Sequence, residues 1–243
     1  MPEKMPNQNR PADPNSVESF LEYLKKDFFP RHGTKVLIAL LLIGVAIFAV
    51  IQNLEAFKQK ETVQAEELGK SLAYIYEGKG DSALTALEAS IQGGSLTGLN
   101  LAKAALLAGN LHMQSGNLDN AESLYKSAVL NAGKAEIIYS AAEHGLAVLA
   151  MERQNYAEAI SLLNAFVGKY GKRTGDLAKR YAKTEPVDAI TTVPDAMWQL
   201  TLCYVETGDI EKAKQTAQKI LKIYGESPRA PYAQKLLATL VEK

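Results

Sequence analysis

Three seven-residue stretches of this 243-residue chain repeat one pattern: Ser115-Gly-Asn-Leu-Asp-Asn-Ala121, Arg153-Gln-Asn-Tyr-Ala-Glu-Ala159 and Thr207-Gly-Asp-Ile-Glu-Lys-Ala213. Each lies between two segments of helical apolar periodicity, so each reads as a tight turn joining two short helices. The closing Ala is small enough to let those helices approach closely. One helical hairpin cannot bury its apolar face alone, and hairpins repeated along a chain therefore stack into a solenoid. The expected fold class is all-α, a helical-hairpin solenoid, and solenoids serve mainly as binding surfaces. Outside two stretches rich in proline and glycine, the first 15 residues and Gly168 to Pro194, the chain is rich in Ala, Leu, Lys and Glu, which favours helix.

A second feature stands before the repeats. Val36 to Ile51 carries no polar side chain on any face, whereas a soluble amphipathic helix keeps a polar stripe. Extended to Leu54, the run approaches the ~20 residues that cross ~30 Å of hydrocarbon. Lys35 and Lys58 bracket it and can reach the two interfaces. We read residues 36–54 as an uncleaved transmembrane anchor, because some 35 residues precede the run and no small-x-small cleavage pattern follows it. Lys25, Lys26, Arg31 and Lys35 before the run outweigh Lys58 and Lys60 after it. That bias predicts a cytoplasmic amino terminus, with everything past Leu54 on the other side of the membrane.

Residues 1–35 divide further. Met1 to Pro14, with four prolines, is expected to be a disordered tail. Asn15 and Glu18 form a capping-box-like start for a short amphipathic helix whose apolar face is Val17, Phe20, Leu21, Leu24 and Phe28. Pro30 and Gly33 are expected to end it before the anchor. Such a helix would lie in the cytoplasmic headgroup region or dock on a membrane partner.

Taken along their full length, the repeats resemble the tetratricopeptide repeat (TPR) family. One unit, near 102–135, supplies Gly109, Gly116, Asn117, Ala121, Tyr125 and Ala128; the next, near 140–167, supplies Leu146, Ala147, Asn155, Tyr156, Ala159, Leu163 and Phe166. A unit near 194–227 supplies Leu200, Tyr204, Gly208, Asp209, Ala213, Ala217 and Ile220, and a degenerate first copy near 64–97 supplies Tyr74, Gly78, Ala83 and Leu87. The family's usual Trp is absent from its place; Trp198 falls one position later. Residues 229–241, with Tyr232, Leu236, Leu237 and Leu240 on one face, read as a helix capping the solenoid, which occupies 55–243.

Spacing is uneven. Ala121 to Ala159 spans 38 positions and Ala159 to Ala213 spans 54, which marks an insert over 168–193. Its Lys169, Lys172, Arg173, Lys179, Arg180 and Lys183 suit either a basic docking element or a solvated helix face followed by a loop. A short cytoplasmic stretch, one anchor and degenerate TPRs beyond it resemble the ancillary subunit type of the bacterial SecYEG translocon. The ending Ile220 to Ala233 resembles instead the last repeats of periplasmic TPR proteins of the cell-division-coordinator and outer-membrane-assembly type.

These resemblances imply an inner-membrane, single-pass protein whose periplasmic solenoid binds other proteins: a translocon, an envelope chaperone or an unfolded client. Alternatives are a scaffold coordinating cell division or wall synthesis, and a cytosol-facing import receptor. Carrying the family's groove positions across gives Lys103, Leu106, Asn110 and Met113, then His144, Val148 and Met151, then Trp198, Leu202 and Val205. That surface is largely apolar and suits an extended apolar segment, methionine being easily repacked; several of its members could equally pack against neighbouring helices or the insert. Only Lys103 and Asn110 fit a carboxylate clamp, which disfavours that mode.

Other chemistry lacks its residues. His32, His112 and His144 are scattered, His112 falling at the family's Tyr position, and no metal-ligand spacing or phosphate-binding glycine loop occurs. No cofactor and no catalytic activity are expected. With 27 basic and 27 acidic side chains, nothing draws the whole chain to nucleic acid. Cys203, the one cysteine, is expected to be a small core residue. Oligomeric state is left open by these features.

Overall fold

The computed structural model describes residues 17, 21, 25, 26 and 29–241. Among these the chain is all-helical. It divides into two units, Met1–Thr62 and Val63–Lys243. The tail 1–14, the Asn15–Glu18 capping box, and Phe20, Leu24 and Phe28 of the short amphipathic helix lie outside the described residues. Val17 and Leu21 are helical and exposed.

The helix α1 (Phe29–Tyr76) corrects one expectation. Pro30 and Gly33 do not end a helix; both lie near the start of this one. Proline costs nothing in the first turn, where its missing N–H would have no helical partner. A single internal glycine costs only about 1 kcal/mol, and no second breaker follows before Gly44. By length and composition the Leu41–Tyr76 part of α1 could cross a membrane. Leu41, Ile43, Val45, Ile47, Phe48 and Val50 are all exposed.

From Val63 onward α1 forms the first helix of a hairpin. Gln64, Leu68 and Ser71, at helical spacing, are buried, and Leu68 packs with Leu87, Leu96, Ala104 and Ala108. Hydrogen bonds made by Gln64 and Glu67 tie α1 to the loop that follows α2 (Gly80–Gln92). The Thr97 N–H donates to Gln64 Oε1 at 3.2 Å, and Ser95 Oγ donates to Glu67 Oε2 at 2.6 Å.

Further hairpins follow: α3 (Gly98–Gln114) with α4 (Leu118–Asn131), and α5 (Glu136–Glu152) with α6 (Tyr156–Tyr170). After the short α7 (Leu177–Tyr181) come α8 (Val193–Glu206) and α9 (Ile210–Ile223), then α10 (Ala230–Val241). The repeated turns close in one way. A residue of positive φ (Gly78, Gly116, Gln154, Gly208) ends each first helix. The next N–H then donates five residues back, as from Asn117 to His112, Asn155 to Ala150 and Asp209 to Tyr204, the pairing that closes helices at a left-handed residue. The alanines ending the three heptapeptides, Ala121, Ala159 and Ala213, have no exposed surface.

Glycine also sets the spacing at one crossing. A Cβ at Gly109 of α3 or at Gly145 of α5 would come within 2.9 Å and 2.8 Å of the Tyr125 ring, which lies between them. The largest core joins α6, α8 and α9 through Leu163, Phe166, Val193, Cys203 and Ile220. Cys203 is fully buried there, and burial pushes its thiol up to about 11.

Candidate functional site

Leu106, Asn110 and Met113 recur at four- and three-residue steps along α3, and Ala141, His144, Gly145 and Val148 do the same along α5. Such steps put each set on one helix face. The two faces line a cleft of about 290 Å³, with Tyr125 of α4 and Thr192 at the start of α8 completing it. Five of the ten residues expected in a groove therefore share one cleft. Lys103 sits on α3 outside it, half-buried. Met151, Trp198 and Val205 are half-buried and pack against the α6–α8–α9 core. Trp198 also faces Tyr232 of α10 with ring centroids 6.0 Å apart. Leu202 is half-buried on α8.

No charged side chain lines this cleft. Its polar groups are few and oriented. Tyr125 Oη donates to Asn110 Oδ1 at 2.9 Å, which fixes the amide and leaves the Asn110 Nδ2 donors for another acceptor. His144 Nε2 lies 2.6 Å from Gln199 Oε1, so that nitrogen carries the proton. The ring also stands 5.4 Å from that of Phe166. Burial holds the His144 pKa below the usual histidine value, against the opposing pull of Gln199 and Asp195, so the imidazole is neutral at pH 7.

The Thr192 hydroxyl is buried without a hydrogen-bond partner. It occupies the N-cap position of α8 yet makes no cap bond. A buried unpaired hydroxyl costs about 1–3 kcal/mol, and Thr192 itself is half-buried and lines the cleft. Sequence reasoning missed Thr192, although a Thr before Val193-Pro194 has the form of a helix start.

The insert holds a different kind of site. Arg180 Nε donates to Glu185 Oε2 at 2.6 Å, while the N–H groups of Gly175 and Thr174 donate to Oε1 at 2.6 and 3.1 Å. Arg180 first, then those amides, hold the Glu185 carboxyl down at about 2. Asp188 accepts from the N–H groups of Lys172 and Arg173 and from Tyr224 Oη. Arg173 pairs with Glu226, and Arg180 donates to the Ile223 carbonyl at the end of α9. The 168–193 segment is thus tied to α9 as well as solvated.

His112 is 4% exposed, with Nε2 2.8 Å from Glu88 Oε1, a packing position. Among the described residues no three His, Cys, Asp or Glu side chains converge as metal ligands would.

The sequence pattern of the tetratricopeptide repeat-like domain matches residues 26–191, and that of the tetratricopeptide repeat matches residues 195–227. No curated protein matches the chain in sequence. In fold it is similar to a tetratricopeptide repeat protein from Parabacteroides merdae ATCC 43184, with a TM-score of 0.55 and 20% identity over 74% of this chain and 60% of that one. TPR-like repeats from Podosopora anserina give a TM-score of 0.54 and 17% identity, over 73% of this chain and 84% of theirs. MamA gives 0.50 and 17%, over 74% and 86%. At such identities the likeness is one of fold. Together with the family match across most of its length, the repeated hairpins make this chain a member of the tetratricopeptide repeat-like domain family.

Proposed function

We propose that this chain is a membrane-tethered protein-binding scaffold of the bacterial cell envelope. Residues 36–54 anchor it once in the inner membrane, the amino terminus is cytoplasmic, and the solenoid 55–243 works at the periplasmic face. Its clients are proteins met there, at the Sec translocon or in the hands of periplasmic chaperones. The observation that carries the binding role is the uncharged cleft of α3 and α5, with Leu106, Met113 and Val148 beside the free donors of Asn110 and the unpaired Thr192 hydroxyl. An extended segment offers what these groups lack: apolar side chains for the walls and backbone amides for Asn110 and Thr192. The absence of lysine or arginine from its lining disfavours capture of a terminal carboxylate. Tethering raises the effective concentration of the cleft near membrane-bound partners.

Two measurements test this reading. Protease added to intact spheroplasts should digest the region after Leu54; protection there would invert the topology and favour a cytosol-facing receptor. A photo-crosslinker at position 113 should trap translocon or chaperone components, and trapping division proteins instead would favour the wall-synthesis scaffold.

A further inference from the structure

The insert 168–193 directs its charges unequally. All three of its carboxylates are taken up by backbone amides: Asp176 accepts from Ala178 and Lys179, Glu185 from Thr174 and Gly175, and Asp188 from Lys172 and Arg173. Glu185 also takes Arg180, and its side chain is only 7% exposed. By contrast Lys172, Lys179 and Lys183 are exposed, and their ammonium groups have no ion-pair partner among the described residues. Glu185 and Asp188 are half-buried and Arg173 and Arg180 are paired, so the charge left facing solvent without an ion pair is mainly that of the three lysines.

The same segment exposes large apolar side chains: Leu177 at 63%, Tyr181 at 87% and Val187 at 83%. Leu177 and Tyr181 are four residues apart on α7 and so share a face. Val187 lines a cleft of about 550 Å³ with Lys183, Ile190 and Pro194; Glu185 and Asp188 also line it, their carboxylates engaged by Arg180, by backbone amides and by Tyr224 Oη. Exposed apolar surface on a segment held by this many hydrogen bonds is not a by-product of a floppy loop. Its conformation is maintained, and the apolar groups stay outside. Clustered exposed apolar side chains mark interaction sites.

We propose that the insert is a second docking surface, separate from the cleft of α3 and α5. Its occupant is a segment of another protein that alternates acidic and large apolar side chains. One apolar side chain enters the cleft beside Val187, and neighbouring Asp or Glu carboxylates meet Lys179 and Lys183. Concavity favours a protein segment over a lipid surface, since a single side chain can enter a cleft that the plane of a bilayer surface passes over.

The test uses the full chain in phosphatidylcholine nanodiscs and a labelled synthetic peptide alternating Asp or Glu with Leu or Phe, followed by fluorescence anisotropy. A counterpart with every acid replaced by Lys is the control. The acidic peptide should bind, the basic one should not, and raising salt should weaken binding. Lys179→Glu with Lys183→Glu should weaken it about tenfold, as expected for reversing two exposed ion pairs, and Val187→Ser should weaken it too. These three residues are exposed, so the fold should survive, which circular dichroism checks. Failure of the acidic peptide to bind at millimolar concentration, or equal affinity for the charge-reversed chain, would overturn the proposal. So would loss on Met113→Glu in place of the insert variants, which would locate the peptide in the other cleft. Binding confined to phosphatidylglycerol vesicles, and lost in the same variants, would replace the protein partner with a lipid surface.

Discussion

Gln154 occupies, at φ 58°, the turn position that glycine fills at 78, 116 and 208. A side chain there costs about 1–2 kcal/mol, partly offset by the entropy glycine loses on folding. Gln154→Gly should therefore stabilise the chain by about 0.5–1 kcal/mol, raising Tm by roughly 1–4 °C in a thermal melt. His144 makes a second residue-scale prediction. Its pKa is depressed in the folded chain from the ordinary 6.5, chiefly by burial. The unfolded chain then binds the proton more readily, so stability rises with pH across this window. The contribution is fully present above pH 6.5 and is lost as pH falls through the folded value. Denaturant midpoints measured between pH 7.5 and 5 should fall, and His144→Gln should flatten that fall. An unchanged slope in the variant would remove His144 as its source.

At the scale of elements, the insert behaves as a part with its own fastening. Glu185 joins α7 to the loop before it, accepting from Arg180 and from the Thr174 and Gly175 N–H groups. Glu185→Gln keeps the size but removes the charge that makes these bonds strong. Hydrogen exchange at the Thr174 and Gly175 amides should then speed up markedly, while amides of α5 and α6 keep their protection. Uniform acceleration across the solenoid would mean that the insert also supports the core. The elements were legible to different degrees. The three heptapeptides foretold the turns at 116, 154 and 208, because glycine, asparagine and a closing alanine meet a local steric need. Pro30 and Gly33 were misleading as stop signals, since their effect depends on where the helix begins. The sequence marked the insert as an interruption and left its basic charges open between docking and solvation. The pairing of its acids with backbone amides belongs to tertiary structure.

On the scale of the whole molecule, a stack of hairpins needs an end. Fully buried Ala233 and partly buried Leu237 of α10 cover the last hairpin, and Tyr232 covers Trp198. Truncation after Ser227 should cost roughly 2 kcal/mol through re-exposed apolar surface and lower Tm by about 4–8 °C. Trp198 is the single tryptophan, so its emission should shift to the red in the truncated chain. An unshifted spectrum would show that α10 does not cover it. The candidate cleft likewise needs more than one hairpin. The resemblance to the TPR family, carried across on the register of the turns, selects Leu106, Asn110 and Met113, and again His144 and Val148, and helical spacing puts each set on one face. Spacing could not show that Trp198 turns to Tyr232, that Met151 and Val205 support the core, or that Thr192 borders the cleft with an unpaired hydroxyl. Those outcomes depend on how α8 packs after the insert, a matter of long-range contacts.

By itself, then, the amino-acid sequence determined the hairpin repeat, its turns, its small residues at the helix crossings and the apolar run beginning at Val36, all set by steric and solvation rules that act within a few residues. Tertiary structure alone decided which groove residues meet, and that the insert's carboxylates are engaged by backbone amides while Lys172, Lys179 and Lys183 face solvent. Both results depend on groups distant in the chain competing for the same donors, acceptors and space.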